Sequence, residues 1–134
     1  MANPNIVNVT SIYGNTAYVI PSGTTATTSW TYNGTTTLTG LTPASGTVNK
    51  IDSVVVSNTT GSAVNCTVAI GNNATFASAT VTVYQAYQIS VPANSSLIVV
   101  DKTTSFYVTE SQSVAVTSAT GSALTFVASF EAIT

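Results

Sequence analysis

The chain has 134 residues, of which 44% are apolar and only 4% charged, where a soluble domain ordinarily carries about 25% charged residues. Lys50, Asp52, Asp101, Lys102, Glu110 and Glu131 are its only charged side chains, and it contains no His. A Ser-His-Asp or Cys-His arrangement and a zinc site are thereby excluded, and two lysines are too few to neutralise a nucleic-acid backbone.

The polar remainder is mostly Thr, Ser, Asn and Gly, and with abundant Val it suits a pleated, half-buried surface. Apolar residues recur with a period of two almost throughout, which predicts strands and no helix. The opening Met1-Ala2-Asn3-Pro4-Asn5 reads as neither a secretory leader nor part of a membrane span, so synthesis in the cytoplasm is expected. Ile6–Tyr13 alternates loosely. Turn residues follow at Gly14-Asn15 and Pro21-Ser22-Gly23. Trp30 and Tyr32 then precede Asn33-Gly34, a dipeptide suited to a turn with positive φ, so a hairpin with Thr35–Leu38 is predicted. Residues 1–45 therefore read as an N-terminal arm plus hairpin. Ile6, Val7, Val9, Ile12, Tyr13, Trp30 and Tyr32 are its candidate partner-interface residues, because aromatic and apolar side chains anchor protein interfaces. The plainer reading is that the hairpin covers the chain's own core, and the alternative is that residues 1–45 reach out to a neighbouring subunit.

Residues 46–134 read as the main domain, with about seven strands. Ile51–Asn58 and Ala63–Ile70 flank Thr59-Thr60-Gly61-Ser62 and predict a hairpin. Val81–Val91 and Leu97–Val100 flank the turn Pro92-Ala93-Asn94, and Phe106–Thr109 predicts a short strand. Ser113–Ser118 and Ala123–Phe130 predict a second hairpin across Thr120-Gly121. The expected fold is all-β: an antiparallel β-sandwich, jelly-roll or immunoglobulin-like, with an extended N-terminal arm and hairpin. Cys66 falls in the run Val64, Cys66, Val68, Ile70 and is expected to be a buried hydrophobe.

No constellation suggests catalysis. The four carboxylates stand apart among Ser, Thr and Val, no Asp-x-Asp spacing marks a calcium loop, and the early glycines are scattered turn residues rather than a phosphate cradle. A non-enzymatic protein with no cofactor and no metal is expected, binding neither nucleic acid nor membrane. Tyr84, Tyr87 and Tyr107 are candidates for stacking on sugars or filling an interface.

Four stretches carry a resemblance. Val91-Pro92-Ala93-Asn94-Ser95-Ser96-Leu97-Ile98-Val99-Val100-Asp101-Lys102, with Phe106–Ser113 and the closing Phe126–Ile133, resembles small virion proteins of tailed bacteriophages, especially phages of cyanobacteria. The opening Met1–Gly14 is similar to the start of such proteins. The resemblance implies a capsid decoration (cement) protein on the virion surface, bound to the major capsid protein and to copies of itself as a homotrimer or homodimer. A tail or neck component, or a fibre-borne carbohydrate-binding module, is the alternative. Pro21–Pro43 departs from that pattern, as does the low number of acidic residues around Glu110 and in the last strand.

Overall fold

The computed structural model describes residues 8–134, so Ile6 and Val7 lie outside the described residues. Ten strands follow one another: β1 (Ile12–Val19), β2 (Ser29–Tyr32), β3 (Thr36–Thr39), β4 (Val48–Asn58), β5 (Val64–Gly71), β6 (Thr82–Val91), β7 (Ser96–Val100), β8 (Phe106–Val108), β9 (Ser113–Ser118) and β10 (Leu124–Ile133). The one helical element among the described residues is a 3-10 turn, Phe76–Ser78. All pairings between strands are antiparallel. The larger sheet runs β3-β2-β1-β10-β4-β7, with β8 beside β7 on the same side of β4, and the smaller sheet runs β6-β5-β9.

The pairings are nested. The first strand pairs with the last, β1 with β10 over its whole length. The segment after β1 meets β9 through a two-bonded bridge, Thr27 with Val116. Next inward, β4 pairs with β7 and β8, and innermost, β5 pairs with β6. A long antiparallel ribbon rolled into two sheets in this way is a jelly roll, which decides between the two topologies that alternation left open. The β2–β3 hairpin is an insertion that widens the larger sheet. Its turn has Asn33 at φ 50 and Gly34 at φ 79, the positive values expected for Asn-Gly.

Both other predicted hairpins are corrected. β4 and β5 lie in different sheets, as do β9 and β10, so their connections cross between layers. Alternation marks which side of a strand is buried, and the inner faces of both sheets carry the same mark. At the β4–β5 crossing, buried Asn58 holds the chain: its Nδ2 donates to the Ser62 and Val91 carbonyls at 2.8 and 3.0 Å, and its Oδ1 accepts from the Thr60 N–H at 2.9 Å. At the β9–β10 crossing, Gly121 backs directly onto the Ser22 carbonyl, and the Ser122 N–H donates to the Pro21 carbonyl at 2.7 Å.

The core lies between the sheets. Val54, Val56, Phe126 and Ala128 of the larger sheet face Cys66, Val68, Val114 and Val116 of the smaller, with Trp30 and Leu41 enclosed among them. No buried side-chain polar atom among the described residues lacks a hydrogen bond, so the low charge leaves no burial cost unpaid. The division at residue 45 does not separate two layers: β1, β2 and β3 are strands of the same sheet as β10 and β4.

Candidate functional site

The predicted interface residues do not converge. Trp30 is 0% exposed, and its Nε1 donates to the Val114 carbonyl at 3.3 Å, tying the larger sheet to β9. Burying such a side chain contributes about 3 kcal/mol, and none of it is on offer to a neighbour. Tyr32 is half-buried with its ring edge-on to Phe130 at 6.4 Å. Val9 is half-buried, whereas Ile12 and Tyr13, the first two residues of β1, are exposed. Ile12–Val19 pair residue by residue with the chain's own β10, so this stretch is a strand of the sandwich and not an arm.

A different set of residues does converge, on the outer face of the larger sheet. Tyr18 lies opposite Val127, Val127 opposite Val55, and Val55 opposite Ile98. Their neighbours on each strand are buried, or half-buried beside Ile98, so these four point outward as a row across β1, β10, β4 and β7. Tyr18, Val127 and Ile98 are 42%, 36% and 66% exposed. Uncharged hydroxyl rows flank them. On one side Thr16 lies opposite Ser129, and Ser129 opposite Ser53; on the other, Thr125 lies opposite Ser57, and Ser57 opposite Ser96. The Ser57 and Ser96 hydroxyls are hydrogen-bonded at 2.9 Å. One clue to this row was visible in the chain: Val54-Val55-Val56, Phe126-Val127-Ala128 and Leu97–Val100 are unbroken apolar runs, more apolar than a strand with one wet face requires.

Beyond the Thr16–Ser129–Ser53 row, charges that are distant in sequence meet. Lys50 Nζ lies 3.0 Å from Asp52 Oδ1 and 3.7 Å from Glu131 Oε2. Asp52, Glu131 and Lys102 line one shallow recess with Gly14, Ser53 and Ser129. The register shift between Ser129 and Phe130 leaves Asp52 without a partner on β10, an extra residue of β4 that lets Asp52 and Ser53 both face outward, while Lys50, two residues before Asp52, shares that face by alternation. The expectation that each carboxylate stands apart is thus corrected for Asp52 and Glu131. The hydrogen bond and charge of Asp52, followed by the charge of Glu131, raise the Lys50 ammonium above its ordinary value of 10.5. Lys50 is thus ion-paired with both carboxylates. Asp101 stands in a turn where the Thr103 hydroxyl and N–H donate to its Oδ1 at 2.6 and 2.9 Å, holding its pKa below the ordinary 3.8. Among the described residues no group of three His, Cys, Asp or Glu side chains is placed to hold a metal ion. Cys66 is buried, and burial pushes its thiol above the ordinary 9.0, away from the reactive thiolate.

The smaller sheet ends at β6, which pairs only with β5 and carries no charge. An uncharged edge is ordinarily open to strand addition. Here register shifts fall between Cys66 and Val68 and between Val68 and Ala69, and Gln88 sits at φ 51. Two bulges thus interrupt the edge ladder, which blunts the edge without charge.

No protein-family model, curated protein or solved structure matches the chain.

Proposed function

We propose that this chain is a non-enzymatic structural protein of a virion, a capsid decoration protein that attaches through the outer face of its larger sheet. The observation that carries the reading is the Tyr18–Val127–Val55–Ile98 row with hydroxyl rows on both sides. An apolar centre with an uncharged polar surround is the anatomy of a protein contact. A chain with six charges in 134 residues presents little repulsion to close-packed neighbours. The partners are the major capsid protein and further copies of this chain. Many copies acting together make weak individual contacts tight. The jelly roll itself is shared by capsid and lectin domains and does not discriminate between them.

Copy number tests this reading. In purified particles of the phage that carries the chain, its amount should approach that of the major capsid protein. A few copies per particle would replace the decoration role with a tail, neck or fibre role, and absence from the particle would overturn every virion reading.

A further inference from the structure

We propose that the outer face of the smaller sheet is a binding groove for a neutral saccharide. Its floor is made by directly opposed pairs, Thr67 with Thr117 and Ala69 with Ala115. Ala69 and Ala115 are buried, and their small side chains keep the groove deep. One wall is β6. Because of the bulge between Tyr84 and Ala86, Tyr84 and Tyr87, three positions apart, both line the groove and are 53% and 57% exposed. Without a bulge, residues three apart on a strand face opposite ways. Their rings meet edge to face with centroids 4.8 Å apart and planes at 63°. Phe76 closes the aromatic end, packed so tightly over Gly71 that a Cβ there would lie 3.0 Å from its ring.

The groove has a second compartment that shares Thr67 and Thr117 with the first and is otherwise lined by Thr24, Asn65, Gln88 and Ala119. The two hold about 260 and 290 Å³, each just below the small-ligand range of about 300–1,000 Å³ that they reach together. One compartment therefore offers aromatic faces and the other amides and hydroxyls, with no charge in either. The Thr67 hydroxyl accepts the Gln88 N–H at 3.1 Å and keeps its own O–H to donate. A sugar ring has the matching character: a C–H face that packs on an aromatic ring, and neutral hydroxyls that pair with amides and hydroxyls. A carboxylated or phosphorylated ligand would find no counter-charge. An added strand would meet the bulges. The groove lies on the opposite side of the sandwich from the Tyr18–Ile98 row, so saccharide binding and particle attachment stand or fall separately.

The test uses the full chain on a broad array of neutral and sialylated glycans, followed by amide-shift titration with the neutral glycans retained. Saturable millimolar or tighter binding is expected, with shifts concentrated at Thr67, Ala69, Ala115 and Thr117. Tyr87→Ala should weaken it about tenfold. Asn65→Ala changes an exposed strand position in the other compartment; it should also weaken binding and keeps the test valid if the tyrosine variant fails to fold. Retention of sialylated glycans alone, shifts elsewhere on the molecule, unchanged affinity in a folded variant, or no binding to any neutral glycan would each overturn the proposal.

Discussion

Gly40 shows what a single residue decides in this fold. Its N–H donates to the Thr28 carbonyl and its own carbonyl accepts from the Val114 N–H, both at 2.7 Å, so it joins the end of the β2–β3 insertion to β9. It has φ 65, and a Cβ there would lie 2.6 Å from the Ser113 Cβ. Gly40→Ala should therefore cost about 3 kcal/mol, combining left-handed backbone strain with overpacking. Gly34, at φ 79 with nothing within 4 Å, carries the backbone term alone, and Gly34→Ala should cost about 1 kcal/mol. Urea unfolding of both variants measures the difference, and equal losses would remove the steric role of Ser113. Trp30 teaches the same lesson about legibility. The Asn33-Gly34 turn and the aromatic pair before it were readable in the chain, but whether Trp30 is buried in the chain's own core or offered to a neighbour was not decided there. Its enclosure depends on β9, whose Val114 lies 84 residues away.

At the scale of elements, strand positions were largely legible and their partners were not. The expected strands at 51–58, 63–70, 81–91, 97–100, 106–109, 113–118 and 123–130 match β4 to β10 to within about three residues at each end. β1 was missed, because only Ala17 and Val19 of its eight residues are buried and the alternation is too short to register. The row on the outer face consists of one residue from each of four strands, so no local window contains it. Val127→Lys tests its role. The change lies on the solvent face of β10 and should cost less than about 1 kcal/mol of stability, yet abolish co-sedimentation with particles that lack the protein. Val83→Lys, at an exposed position of β6, should leave attachment intact. Equal loss by both variants would show that added charge, and not this face, is what matters.

For the whole molecule, the scarcity of titratable groups predicts an unusually flat stability profile. Asp101 has its folded pKa below 3.8, so its stabilisation is present above that value and is lost as pH falls through the folded pKa. Lys50 has its folded pKa above 10.5, so its contribution is complete below that value and is lost as pH rises through the folded pKa. Cys66, raised above 9.0 by burial, adds a decline on the same alkaline side. With no His, no side chain has its ordinary pKa between about 5 and 8. The melting temperature by calorimetry should be constant between about pH 5 and 8 and fall on both sides. A clear slope inside that window would overturn this expectation.

Composition and period-two alternation by themselves determined that this protein is all-β, where most of its strands lie, that Cys66 is buried, and that no His-based or zinc chemistry is available to it. These properties are local, or sum over the chain without regard to arrangement. Tertiary structure alone decided the nested jelly-roll pairing, the withdrawal of Trp30 into the core, the meeting of Lys50 with Asp52 and Glu131, and the two unlike outer faces. Each depends on which strands dock side by side and in what register. A strand's alternation specifies which side is buried but says nothing of the neighbour that buries it.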